Sequence, residues 1–327
     1  MAHRLATAFW LTTPGVGELH EERLPPLTHG DQGNVEVRAL YSGVSRGTEA
    51  LVFHGRVPAS EHQRMRAPFQ QGDFPAPLKY GYSSVGKVVD GPEALIGQTV
   101  FCLYPHQDRY CVPIEAVKTL PKDTPPARAV LAANMETAIN GVWDANPLPG
   151  ERISIVGAGV VGALVAYLCQ RIIGTEVQLI DINPARKSLA EALGVSFCLP
   201  DQAQGDQDLV IHASGHADGL ALALELSGLE GRIIEMSWFG EGDVSLPLGG
   251  AFHSRRLTLR ASQVGQLPTH QQPRWNYARR LALALRLLSD PILDALISGE
   301  SAFEQLPQVA PTLFAADSQT LCHRVVY

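Results

Sequence analysis

Residues 153–162 read Ile-Ser-Ile-Val-Gly-Ala-Gly-Val-Val-Gly, and they restrict the fold more tightly than any other part of the chain. A β-type run, Ile153 to Val156, leads into glycines at 157, 159 and 162, and an apolar run continues to Leu168. The spacing G-x-G-x-x-G carries meaning when a strand precedes it and a helix follows. Gly157 permits the tight turn, Gly159 lets a pyrophosphate approach the backbone, and Gly162 lets helix and strand pack closely. Val160 and Val161 then open the helix, where free N–H groups and the dipole favour phosphate.

A second strand is expected over Val177–Ile180, and Asp181 follows it, nineteen residues after Gly162. A carboxylate there accepts hydrogen bonds from a ribose 2′-OH and repels a 2′-phosphate. Residues 150–186 therefore predict a dinucleotide site, with NAD the expected cofactor. Arg186 is placed to stack on an adenine, which keeps NADP open. A nucleotide-free βαβ unit and an S-adenosyl site are the rival readings.

The texture around this unit sets the rest of the fold. Up to about Pro121 the chain holds short β-type runs separated by Gly and Pro, such as Val35–Leu40, Ser84–Val89 and Gln98–Leu103. These read as a β-rich unit. Helix and strand then alternate. Helices are expected over 127–143, from the glycine loop to about Ile173, and over 184–193 and 217–227. Strands are expected near 195–199, 209–212, 232–236 and 257–261. That alternation predicts an α/β, doubly wound parallel Rossmann sheet. From Gln263 onward stand one helix, Trp275–Leu288, and a β-type tail, Cys322–Tyr327, too short to fold alone. The expected domains are 1–121, 122–262 and 263–327, the last returning to the first.

The chain has 327 residues, which suits two domains, and a formal net charge of −7. That balance argues against nucleic acid and against an anionic membrane surface. No uninterrupted apolar stretch reaches the ~18 residues of a spanning helix. The start, Met-Ala-His-Arg-Leu, is not followed by the apolar core of a signal peptide, so a cytoplasmic protein is expected. Five scattered cysteines with no C-x-x-C pair read as reduced thiols rather than disulfides or a zinc knot.

These residues together resemble the medium-chain dehydrogenase/reductase (alcohol dehydrogenase-like) superfamily over nearly the whole chain. The likeness rests on the domain order, on Asp181–Gly194, on Leu209-Val-Ile-His-Ala-Ser-Gly215 and on Gly97-Gln-Thr-Val-Phe101. It implies a β-rich GroES-like catalytic domain, Ser214 and Glu136 beside the nicotinamide ribose, a small-molecule substrate, and a homodimer formed near Leu257–Ala261. Many members of that superfamily hold a catalytic zinc. Here the Cys position falls on Ser45 or Arg46, the His position on Tyr82, and only Glu136 is left as a third ligand. The four-cysteine lobe is missing. No zinc is expected. Tyr41–Glu49 and Tyr80–Gly86 place the resemblance nearest the bacteriochlorophyllide dehydrogenase-like branch.

Without zinc, hydrogen-bond donors must stabilise charge on the substrate oxygen. Tyr82 is the leading candidate, with Lys79 or Arg46 as cations that lower its pKa. Thr48 and Ser45 line the same turn. His106, titrating near neutrality, is the expected relay to solvent. Arg274 and Trp275 are substrate contacts or helix-start packing. The expected reaction is hydride transfer between nicotinamide and a secondary alcohol or ketone. The alternatives are enone or quinone reduction, and a catalytically silent NAD(H)-binding protein.

Overall fold

A computed structural model describes residues 4–27 and 33–327. Met1–His3, part of the stretch read for a leader, lie outside the described residues. The chain divides into two compact units. One contains the residues up to Ala133 with Leu281–Pro291 and Ile297–Tyr327; the other contains Asn134–Arg280 and Ile292–Leu296.

The first unit is built on two sheets. The larger has seven strands. In order they are Ile297–Ala302, Cys322–Val326, Asn34–Ser45, Ser84–Asp90, Thr99–Cys102 and Val117–Thr119, with Arg109–Pro113 also pairing Asn34–Ser45. The smaller runs Val16–Arg23, Leu5–Thr13, Leu78–Lys79, Gln71–Gly72. Val35, Val37, Val88, Val100 and Val112 form one core, closed by Tyr104 stacked on Tyr110 at 3.9 Å. β-branched side chains suit this pleated, half-buried surface. The C-terminal tail is a strand inside the large sheet, antiparallel to Tyr41–Ser45 and parallel to Ile297–Ala302. A segment too short to fold alone thus gains ladder bonds on both sides.

The second unit is a six-stranded sheet, parallel throughout. Its order is Ser196–Cys198, Glu176–Ile180, Arg152–Val156, Gln207–His212, Ser227–Glu235, Thr258–Ala261. Numbered along the chain this is 3-2-1-4-5-6, the dinucleotide-binding order. Ile153, Ile155, Leu179, Ile180, Leu209, Val210 and Ile211 are buried. Near-continuous apolar strands of this kind follow from helices covering both faces.

Two helices differ from the sequence expectation. The run expected over 127–143 is broken into Pro126–Ala129 and Ala132–Ala145. At the break the Val130 carbonyl accepts the Ser83 hydroxyl at 2.5 Å. The helix after the glycine loop spans Val160–Cys169 and stops short of Ile173. There the Thr175 hydroxyl donates to the carbonyls of Cys169 and Ile172, and the chain turns into the next strand.

Candidate active site

The glycine loop leaves the strand Arg152–Val156 and enters the helix Val160–Cys169. Gly157 has φ +107°, a conformation that favours glycine, and a side chain there would meet the Ser214 backbone nitrogen at 2.6 Å. A side chain on Gly162 would fall 1.9 Å from the Gly157 carbonyl oxygen. Gly159, by contrast, has nothing within 4 Å of where its Cβ would lie. The loop is thus closed on its protein side and open at Gly159, a shape that suits a pyrophosphate against the first turn of the helix at Val160 and Val161.

Asp181 stands at the end of the second strand. Its two carboxylate oxygens accept the backbone N–H groups of Ala158 (2.7 Å) and Asn183 (2.9 Å). The acid therefore braces the glycine loop as well as presenting charge beside it. Arg186 closes the short 3₁₀ turn Pro184–Arg186, capped by the Asn183 side chain, which accepts from the Ala185 N–H at 3.0 Å. On the far side of the loop, Ser214 lies two residues past the fourth strand, with its hydroxyl 2.6 Å from His212 Nε2.

In the first unit, Ser45 ends the long strand and stands at the N-terminal boundary of the helix Arg46–Phe53, with no capping bond from its side chain. Thr48 lies in that helix's first turn, and the Tyr82 hydroxyl bonds to the side chains of both Ser45 and Thr48. Three of the residues singled out in the sequence, Tyr82, Ser45 and Thr48, are therefore one cluster. Burial, and then the Glu49 carboxylate, push the Tyr82 phenol above its ordinary pKa, while the two hydroxyl partners pull the other way. The sequence expectation that Lys79 or Arg46 lowers it fails on geometry. Lys79 is fully buried and donates to Glu22 (2.7 Å) and Gln107 (2.6 Å). Arg46 donates to the carbonyls of Ala315 and Ala316. The charged group that acts on Tyr82 is an acid, so the phenol stays protonated.

His106 is 2% exposed, which corrects its expected place as a relay at the solvent edge. Its Nε2 lies 3.0 Å from Glu49 Oε2 and its Nδ1 lies 2.7 Å from the Ser42 hydroxyl. Ser42 in turn reaches the Tyr327 hydroxyl at 3.0 Å. The turn before Tyr82 is shaped to this ring: Gly81 has φ +122°, and a Cβ there would lie 2.9 Å from His106 Cδ2. Glu49 is the residue that sequence reasoning missed. Its Oε1 accepts the Ser45 N–H at 2.7 Å, a reach back to the helix start akin to a capping box. A Ser followed within one turn by an acid, just before an apolar helix, was the available signal.

Glu136 belongs to the second unit and is held there. Arg280 Nε lies 3.1 Å from its Oε1, and both side chains are about 5% exposed. Burial raises the Glu136 pKa and Arg280 lowers it. Trp275 packs on Trp143 at 4.7 Å with Arg279 over its ring, so it is helix-start packing. All five cysteines are free thiols. Among the described residues no group of three or more His, Cys, Asp or Glu side chains is arranged to hold a metal ion. No helix among them is long and apolar enough to cross a membrane.

No model of a protein family matches the chain. In sequence it is similar to the D-guloside 3-dehydrogenase of Escherichia coli, with 26% identity over 309 residues, covering 84% of this chain and 87% of that one. In structure it is similar to the L-idonate 5-dehydrogenase of Escherichia coli, with TM-score 0.80, 16% identity and 99% of each chain covered. It is also similar to a protein of Sinorhizobium meliloti bound to NADP and assigned as a zinc-binding dehydrogenase. That pair has TM-score 0.78 and 17% identity, covering 99% of this chain and all of the other. The fold is that of the alcohol dehydrogenase-like superfamily.

Proposed function

We propose that this protein is an NAD(P)-dependent dehydrogenase that oxidises a secondary alcohol to a ketone, or runs the reverse reaction, without a catalytic zinc. Named dehydrogenases among its relatives support the reaction class. The observation that carries the cofactor is the 3-2-1-4-5-6 sheet with an open cradle at Gly159 and the Asp181 carboxylate beside it. That carboxylate favours an unmodified ribose, so NAD is the preferred form.

The donor set does not fit zinc. The positions that the resemblance assigns to ligands hold Ser45 or Arg46, Tyr82 and Glu136. Arg46 is turned to backbone carbonyls, the Tyr82 phenol is raised in pKa, and Glu136 is neutralised by Arg280. None offers the thiolate or imidazole that zinc prefers.

Bound nicotinamide would supply the hydride acceptor or donor. The chain's own residues then have to hold the substrate oxygen. Tyr82 donates a hydrogen bond to it, strongest where negative charge develops. Ser45 and Thr48 fix the phenol's direction. Behind them Glu49 and His106 fix the turn. The substrate is a small polar molecule with a secondary hydroxyl, as in a sugar or polyol. The resemblance to the bacteriochlorophyllide dehydrogenase-like branch bears on the zinc-free site rather than on the substrate.

The remaining parts of the reading are a homodimer and a cytoplasmic protein. The strand Thr258–Ala261 is an edge of the parallel sheet, bonded on one side to Ser227–Glu235, and a second copy would continue the ladder there. The test is a screen of sugars, polyols, ketones and enones with NADH fluorescence as the readout. Turnover of a secondary alcohol or ketone supports the reading. Turnover of enones alone, or tight NADH binding with no turnover, overturns it.

A further inference from the structure

Two hydroxyls, an imidazole and a carboxylate meet at the carboxyl ends of the fourth and fifth strands of the nucleotide sheet. His212 is fully buried. Its Nδ1 lies 2.6 Å from Glu235 Oε2 and its Nε2 lies 2.6 Å from the Ser214 hydroxyl. Glu235 Oε1 accepts the Ser237 N–H at 2.5 Å, and the Ser237 hydroxyl accepts the Gly215 N–H at 3.0 Å. Ser214 Oγ accepts the His216 N–H at 3.2 Å. The loops after the two strands are thereby tied together.

The Ser214 oxygen accepts from His216, and its own proton has His212 Nε2 as acceptor. We assign the imidazole as neutral, with its proton on Nδ1 facing Glu235, the tautomer in which Nε2 accepts the Ser214 hydroxyl. One net negative charge remains, on a carboxylate that is 12% exposed.

Its place follows from the sheet. In this order the ligand crevice lies where the strand order reverses, between Arg152–Val156 and Gln207–His212. Gly157 and Ser214, which touch, mark that point. Asp181, at the end of the second strand, takes the adenosine ribose on one side. The other nucleotide must then extend over the fourth and fifth strands, where Glu235 stands.

We propose that Glu235, held by His212 and Ser237, selects the oxidised nicotinamide over the reduced one. An oxidised nicotinamide ring carries a positive charge and a reduced ring carries none. A fixed, poorly hydrated carboxylate near the ring therefore stabilises one redox form and not the other. The inference rests on the dinucleotide reading given above, and its test separates the two. ADP-ribose, NAD+ and NADH are titrated calorimetrically into wild-type protein, Glu235→Gln and Ser237→Ala, with thermal unfolding as a check on folding. ADP-ribose lacks the nicotinamide and reports the adenosine half alone. In Glu235→Gln, affinity for NAD+ should fall about fivefold or more relative to NADH, by loss of the charge term. ADP-ribose affinity should stay within about twofold. Ser237→Ala should shift the same ratio in the same direction and by less, because it loosens the carboxylate without removing it. An unchanged NAD+ to NADH ratio in a folded Glu235→Gln, or equal loss for all three ligands, overturns the proposal. If wild-type protein binds none of the three, the dinucleotide reading falls, and this proposal with it.

Discussion

Glu49 Oε2 lies 3.0 Å from His106 Nε2, and both side chains are at most 5% exposed. The same carboxylate holds the Ser45 N–H, so one acid joins the loop of His106 to the helix start that carries Thr48. Removing one member of this buried hydrogen-bonded pair leaves the other unsatisfied, at a cost of about 1–3 kcal/mol. Glu49→Ala should therefore lower the urea midpoint markedly and reduce turnover through loss of the turn. Glu49→Gln keeps an acceptor for Ser45 and should cost much less. Equal midpoints for wild type and Glu49→Ala would show that the pair contributes nothing.

Tyr82→Phe removes the donor and leaves the ring that packs edge-on against Tyr80 at 5.9 Å. Loss of one preorganised donor to a developing oxyanion costs about 10²–10³ in kcat. Turnover should fall in that range while NADH affinity moves less than twofold. The raised phenol also has a pH consequence. A group that stays protonated past its ordinary range gives no tyrosine ionisation in the rate profile between pH 6 and 9, as tested by kcat/KM across that range. A Tyr82→Phe enzyme at full rate would move the proton chemistry to another residue.

The nucleotide unit was legible because its constraints are local. A glycine pattern, two strands and Asp181 lie within 40 residues, and each position is set by steric or hydrogen-bond needs of the backbone. The other half of the site was only partly legible. Tyr82, Ser45 and Thr48 were found, yet the charge acting on them was misread, because Lys79 and Arg46 are near in sequence and turned elsewhere in space. Partners such as Ser42 with His106, or Glu136 with Arg280, are separated by 64 and 144 residues. No periodicity encodes such pairs. The helix break at Val130 depends likewise on a hydroxyl 47 residues away.

Asp181 has two tasks in the structure, and its replacement should show both. Asp181→Ala removes the acceptor for a ribose hydroxyl and the brace on Ala158 and Asn183. Lost bracing weakens every nucleotide, while lost charge weakens NAD and relieves repulsion of a 2′-phosphate. NAD affinity should fall about tenfold or more, and NADP affinity by clearly less, in parallel fluorescence titrations. Equal losses would assign Asp181 to bracing alone.

Five phenols, those of Tyr80, Tyr104 and Tyr110 buried and those of Tyr82 and Tyr327 half-buried, predict how the protein unfolds in alkali. Tyr80, Tyr82, Tyr104, Tyr110 and Tyr327 are all raised, in each case first by burial. Each is protonated in the folded state at a pH where the unfolded chain has lost the proton, above about 10. There the unfolded state binds fewer protons than the folded one, so stability falls as pH rises. Below pH 10 these five phenols add no pH dependence. Above it, ionisation of each is coupled to exposure. Tyrosinate absorbance near 295 nm should therefore rise in two stages: a gradual one from the exposed rings, and a steep one that coincides with loss of far-ultraviolet circular dichroism. A single gradual rise complete before the dichroism changes would mean that these phenols titrate in the folded protein, and that Tyr82 is not held as a neutral donor.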